Sequence, residues 1–283
     1  MIKQRTIKDP VTIEGAGLQT GKKARLTLRG SPANSGINFI RLDLPNKPLL
    51  NVRSMPLGEA GTGPGRRTTM AAGELEVQTT EHLLAALSGL GIDNIVMELD
   101  NVEVPGLDGS AKGFVDAIKK GRVVEQDAPR KILKVAEAVW CEGQDSFIGV
   151  FPDEDFKISF TLSYDNPAIG TQFYSVALNE MEFEANIAPA RTFCLEEEAR
   201  ELLRLGFGRG ANTDNTLVIG RSGPAKNVYR FPNEPVRHKV LDLIGDLYLL
   251  GMPIKGHVVA LKSGHRLNVE LVRKLKEGIG FRV

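Results

Sequence analysis

The alternation of apolar and polar residues divides the chain into strand-like and helix-like stretches. "QRTIKDPVTIEGAGLQTGKKARLTLRG" (4–30) holds the period-two segment "ARLTL" and predicts two strands around a glycine-containing turn. Its "GAG" does not suit a dinucleotide loop, because that loop joins a strand to a helix and this one leads into another strand. Residues 55–78, rich in Gly and Pro, predict a loop followed by a short strand. "TTEHLLAALSGLG" (79–91) predicts a helix started by Thr79 or Thr80 and closed by Gly89 or Gly91. A strand "IDNIVMELD", a turn "VPGLDGS" and a second helix "SAKGFVDAIKKG", capped by Ser110 or Asp108, follow. The polar "GRVVEQDAPRK" (121–131), with Pro129, predicts a linker.

Beyond it, strand patterns recur in "KILKVAEAVW", "SFIGVF", "FKISFTLSY", "TQFYSVAL" and "EFEANIAPARTF". An amphipathic helix "CLEEEARELLRLGF", a strand "NTLVIG", a helix over 234–250, a strand "HVVALKS" and a last helix "RLNVELVRKLKEG" complete the order. Each half mixes antiparallel-looking strands with two helices, which predicts an α+β fold in two layers side by side. No residue-level repeat links the halves.

Composition narrows the function. The 283 residues suggest two domains, and 36 basic against 35 acidic residues give no electrostatic case for nucleic acid. Two cysteines, Cys141 and Cys194, fit a reducing compartment better than a disulfide framework. The N-terminus lacks the apolar core of a signal peptide, and no apolar run spans a bilayer. The expected location is the cytoplasm.

The stretch "RHKVLDLIGDLYLLG" (237–251) sets the chemical question. Val236, Val240, Leu243, Leu247 and Leu250 form one helical stripe, while His238, Asp242 and Asp246 repeat at i, i+4, i+8 on the other side. Leu241, Gly245 and Leu249 interleave them, so the helix is apolar nearly all round and should be buried. Buried carboxylates are costly unless compensated. A His and an Asp one turn apart suit chelation of a divalent metal, and they equally suit a hydrogen-bonded structural pair.

The chain has four histidines: His82, His238, His257 and His265. His82 follows Glu81 on the first turn of the helix in "TTEHLLAAL". Two histidines and one carboxylate make the three-ligand set of a catalytic zinc, with a fourth position open to water. Glu81 is placed to take a proton from that water, and His265, at the strand-to-helix corner "KSGHRLN", suits a general acid charged by Asp246. His257 receives no role.

"TTEHLLAALSGLGIDN", "DGSAKGF", "PARTFC", "NEPVRHKVLDLIGDLYLLG" and "SGHRLNVELV" together strongly resemble the UDP-3-O-acyl-N-acetylglucosamine deacetylases, zinc hydrolases of lipid A biosynthesis in Gram-negative bacteria. The resemblance runs from about residue 5 to the C-terminus. It implies two similar α+β domains, each a sheet-and-helix sandwich, with the active site between them: 1–125, carrying Glu81 and His82, and 130–283, carrying His238, Asp242 and His265. It implies His82, His238 and Asp242 as metal ligands, with Zn²⁺ the expected ion and Fe²⁺ also suited to the set. Glu81 resembles the general base, His265 the acid that protonates the departing amine, Asp246 its partner, and Thr192 the hydroxyl that helps hold the oxyanion. Lys239 resembles a cation near the substrate diphosphate and Phe193 a wall of the site. An insert near 195–220, with Leu202, Leu203 and Phe207, would border a passage for the acyl chain. The implied substrate is an amphiphilic nucleotide sugar, met by a monomer with at most transient contact with the inner membrane surface.

Two positions depart from the family pattern. Gln19 stands where histidine is usual in "G-x-G-L-x-[TS]-G", and Asn166 where several relatives carry histidine. They are the only support for a non-catalytic nucleotide-sugar or lipid-binding homologue. A zinc deacetylase of another N-acetyl sugar is the further alternative.

Overall fold

The computed structural model describes residues 2–55, 67–73 and 75–279. It is an α+β protein built on two sheets of the same plan. In the first, the strands lie in the order Val11–Ala16, Lys23–Gly30, Ile95–Leu99, Ile37–Arg41, Leu49–Asn51. In the second the order is Val139–Glu142, Phe147–Phe151, Ile254–Leu261, Phe156–Ser163, Thr171–Ala177. Both sheets place their last strand in the middle, pair it antiparallel with the second strand and parallel with the third, and pair the outer strands antiparallel. Leu133–Lys134 adds a short parallel pairing at the edge of Ile254–Leu261. Residue identity hides this duplication because a sheet needs inward apolar positions, not particular side chains. In Phe156–Ser163, for example, Ile158, Phe160 and Leu162 are buried while Lys157, Ser159 and Thr161 alternate with them.

The helices repeat as well. In the first half α1 (Glu81–Gly89) precedes the central strand and α2 (Lys112–Lys120) follows it. In the second half α3 (Glu196–Arg204) packs on a small sheet of Phe193–Leu195, Leu217–Gly220 and Gly223–Pro224. There α4 (Glu234–Leu247) precedes the central strand and α5 (His265–Ile279) follows it. The two equivalent helices α1 and α4 pack on each other within one continuous apolar core that spans both halves. That position explains why α1 is buried from Glu81 to Leu87, and α4 along its length except at Arg237 and Lys239.

Three expectations are corrected. The first segment holds three strands rather than two, beginning with Lys3–Ile7. The expected linker is a strand, Val123–Pro129, paired antiparallel with Lys3–Ile7, its polar composition concealing a pairing that a distant segment dictates. Pro129 sits at its end, where a missing N–H is tolerated. The stretch expected as a strand in "EFEANIAPARTF" begins as a helical turn: Asn179 caps it by accepting from the Glu182 N–H at 3.0 Å, and Phe183 and Ile187 share the buried i, i+4 face. The Gly- and Pro-rich loop expected after residue 55 lies largely outside the described residues. Where description resumes, Thr69–Ala72 and Leu75–Gln78 pair as two antiparallel strands.

Candidate active site

The first turn of α1 meets the C-terminal half of α4 because Gly245 lacks a side chain. A Cβ at that position would overlap the Glu81 carbonyl, so the two helices approach closely where Glu81 and His82 face His238 and Asp242. Thr80 occupies the N-cap position of α1, but its hydroxyl lies toward the Thr68 carbonyl rather than capping the helix, and Thr79 before it is left-handed with φ 57°. The buried Glu103 carboxylate holds this entry in place, accepting from the Thr79 hydroxyl at 2.9 Å and from the backbone N–H groups of Gln19 and Thr20 at 2.8 Å each. At the other end, buried Glu234 on the first turn of α4 accepts the Arg191 backbone N–H and guanidinium Nε, both at 2.9 Å. That bidentate anchor fixes the segment carrying Thr192 and Phe193 beside α4.

Ligand atoms of His82, His238 and Asp242 lie within 4.8 Å of one another, and all three side chains are buried. His82 Nε2 is 3.6 Å and His238 Nε2 3.2 Å from the same Asp242 oxygen. Around one tetrahedral ion with bonds of about 2.0–2.1 Å, neighbouring donors stand about 3.4 Å apart, so the spacing fits a small divalent cation. The His238 orientation fits too: Nδ1 lies 3.0 Å from the Ala190 carbonyl, which can only accept, so Nδ1 is the donor there and Nε2 is the ring atom left to face Asp242. Burial pushes the Asp242 carboxyl up, but His238, Lys239 and His82 outweigh it and hold the group well below the usual range. Lys239 Nζ donates to the second Asp242 oxygen at 2.5 Å and lies 5.9 Å from the centre of the Phe193 ring.

A second cluster adjoins this one. His265, the first residue of α5, places Nδ1 2.8 Å from Asp246 Oδ2 and Nε2 3.9 Å from Asp242 Oδ2. Burial lowers the His265 pKa, but the carboxylates of Asp246, Asp242 and Glu81 outweigh it and push it up to about 9. Asn268, one turn along α5, donates to Asp246 Oδ2 at 2.8 Å. The Thr68 hydroxyl bonds the other Asp246 oxygen, and the Thr68 N–H donates to Glu81 Oε2 at 3.1 Å. Burial pushes the Glu81 carboxyl up, against the pull of His265 and His82.

These groups open on one cleft of about 110 Å³. Glu81, His82, Thr192, Phe193, Leu202, His238, Lys239, Asp242 and His265 all line it. Asp246 lies behind His265 with no exposed surface, and Leu203 points outward, 59% exposed. Phe207 is not itself among the lining residues, although Gly208 beside it is, and the Arg67 guanidinium lies 5.7 Å from its ring centre. His257 lies mid-strand in the second sheet, its Nε2 2.9 Å from the Ser159 hydroxyl. Gln19 lines the cleft and accepts from the Gly208 N–H at 3.1 Å, while Asn166 shapes a local turn through the Ala168 N–H at 2.9 Å.

Sequence reasoning missed Thr68, Asn268, Gly245, Glu103 and the Arg191–Glu234 anchor. The "GD" pair inside an otherwise apolar helix was the available signal for Gly245. A glycine where a larger residue favours the helix usually marks a close approach. Thr68 carried no signal, since its neighbours in sequence read only as loop.

A buried three-donor set with a raised-pKa carboxylate and a charged imidazole beside it defines a metal-dependent hydrolase type of site. Comparison with known proteins makes this specific. Residues 4–277 match the family described as LpxC, UDP-3-O-acyl N-acetylglycosamine deacetylase, and the chain belongs to that family. It is 42% identical over 273 residues to a UDP-3-O-acyl-N-acetylglucosamine deacetylase of Anaeromyxobacter sp., covering 96% of this chain and 88% of the relative. Proteins of the same description from Chlamydia felis and Acidithiobacillus ferrooxidans are 41% and 40% identical, each over 97% of this chain and over 97% and 90% of their own.

Proposed function

We propose that the cleft removes the N-acetyl group from a UDP-3-O-[(3R)-hydroxyacyl]-N-acetylglucosamine, releasing acetate in the committed step of lipid A biosynthesis. The observation that carries this reading is the convergence of His82, His238 and Asp242 beside Glu81 and His265 in a chain of the deacetylase family. His82, His238 and Asp242 would hold the ion, Zn²⁺ being the expected one and Fe²⁺ also compatible with two imidazoles and a carboxylate. When bound, a divalent cation supplies Lewis acidity for the amide carbonyl and for activation of water.

The remaining chemistry falls to side chains. Glu81, with one oxygen taken by the Thr68 N–H and its proton affinity raised by burial, takes the proton of the attacking water. His265 keeps Nδ1–H on Asp246 and presents Nε2 to the cleft, where it protonates the departing amine. A positioned acid or base of this kind contributes roughly 10²–10⁴ in rate. Thr192 offers its hydroxyl to the oxyanion, Lys239 its charge to the diphosphate and Phe193 an apolar wall. Leu202, in the cleft lining, and Phe207 belong to the insert near 195–220 that borders a passage for the acyl chain, with the active site between halves 1–125 and 130–283. Among the described residues no helix is long and apolar enough to cross a membrane. We read the protein as a cytoplasmic monomer that touches the inner membrane surface only transiently.

The test is acetate release from acylated and unacylated UDP-N-acetylglucosamine by zinc-loaded protein. Release that requires the acyl chain supports the reading, equal release from both points to another N-acetyl sugar, and binding without release points to a non-catalytic homologue.

A further inference from the structure

Thr68 has no exposed surface, and no cofactor or substrate role accounts for it. It nevertheless touches both sides of the proposed acid–base machinery. Its backbone N–H donates to Glu81 Oε2 at 3.1 Å. Its hydroxyl donates to Asp246 Oδ1, because an ionised carboxylate can only accept, and lies 3.1 Å from His265 Nδ1. The residue is itself held down: its carbonyl accepts from the Thr80 N–H at 3.3 Å, at the start of α1. One residue therefore ties the helix bearing the base to the pair formed by α4 and α5.

The hydrogen-bond count at Asp246 shows what the hydroxyl adds. Oδ2 accepts from His265 Nδ1 at 2.8 Å and from Asn268 Nδ2 at 2.8 Å. Among the described residues Oδ1 has one hydrogen-bond partner, the Thr68 hydroxyl. Without that donor a carboxylate oxygen with no solvent exposure is left unsatisfied, which favours rotation of the carboxyl group. That rotation frees the His265 ring. A turned Asp246 no longer fixes the Nδ1–H tautomer, and Nε2 no longer faces the cleft in one orientation. The backbone bond to Glu81 acts separately. It occupies Oε2, and among the described residues Oε1 is the oxygen left to meet a water.

We propose that Thr68 is a positioning residue that sets Glu81 and the Asp246–His265 pair simultaneously, through its backbone N–H on one side and its hydroxyl on the other. This inference rests on the deacetylase reading, and its test separates the two. Thr68→Val keeps the backbone bond and the branched shape but removes the hydroxyl, whereas Thr68→Ser keeps both bonds. In zinc-loaded protein, Thr68→Val is expected to lower kcat by roughly 10–100-fold, the usual loss when an outer partner of a functional group is removed, with KM and zinc content unchanged. Thr68→Ser is expected to restore most of that loss. Independently of turnover, the short Nδ1–Asp246 bond predicts a downfield His265 Hδ1 resonance by NMR in the wild type, which should persist in Thr68→Ser and shift or exchange away in Thr68→Val. Wild-type kcat in Thr68→Val, equal loss in Thr68→Ser, or an unmoved Hδ1 signal in Thr68→Val overturns the proposal. If the wild type releases no acetate, the deacetylase reading fails and the NMR arm still decides the role of Thr68.

Discussion

Helices α1 and α4 occupy the same place in two sheets of identical strand order, yet they carry unequal chemistry. The nine-residue α1 offers Glu81 and His82 from its first turn alone. The fourteen-residue α4 offers His238, Asp242 and Asp246 from three successive turns, and the helix after its central strand begins with His265. Neither half holds three donors by itself. A duplicated scaffold brings two equivalent helices face to face, and divergence then loads most of the polar groups onto one while the other keeps a single turn of function. The crossing at Gly245 is what joins them.

The most severe way to break this partnership is to remove a donor. His238→Ala on the loaded half and His82→Ala on the lighter half are both expected to abolish stoichiometric zinc and reduce acetate release to background, as read by elemental analysis and product assay. Equal outcomes show that the halves are equal partners in holding the ion despite their unequal loads. Glu81→Gln comes next: kcat should fall by roughly 10²–10⁴ with zinc content retained, separating the proposed base from the proposed ligand His82 on the same turn. At the crossing, Gly245→Ala forces a Cβ against backbone rather than against a flexible side chain. It should destabilise the fold by about 1–3 kcal/mol in urea titrations and reduce zinc affinity, because α1 is pushed from α4.

A pH experiment sharpens the second half alone. In metal-free protein the His265 imidazole should titrate near 9, raised from an ordinary 6.5 by Asp246, Asp242 and Glu81 against the effect of burial. A pKa raised on folding contributes stability that is fully present below about pH 6.5 and is lost as pH rises through about 9. NMR titration of the ring and urea midpoints between pH 6 and 10 check the two halves of that statement, and Asp246→Asn should shrink both effects. The smallest effect is expected at Gln19, whose side chain latches the turn at Gly208 through one hydrogen bond. Gln19→Ala should weaken substrate binding by about 0.5–1.5 kcal/mol and leave kcat unchanged.

The periodicity of residues 234–250 made the buried helix and its i, i+4, i+8 polar row legible, since 3.6-residue spacing is a local property. The α+β class was legible for the same reason. Two segments were misread because their structure depends on distant partners or on a cap outside the apolar pattern. Val123–Pro129 becomes a strand only when Lys3–Ile7 lies beside it, and Phe183–Ile187 coils behind the Asn179 cap. The duplication was invisible in residue identity and plain in strand order. In the site, histidines and acidic residues drew notice because they are scarce or costly when buried. Thr68 and Asn268 act through position, and nothing local to them in the chain marks that position, whereas the glycine inside an apolar helix was a local mark of Gly245.

The most direct test of a shared metal centre is anomalous diffraction at the zinc edge from crystals of zinc-loaded protein. One peak bonded at about 2.0–2.2 Å by His82, His238 and Asp242, with Glu81 and His265 facing its remaining side, is the expected result. A peak held by one half alone, or no peak within bonding reach of His82, contradicts the account.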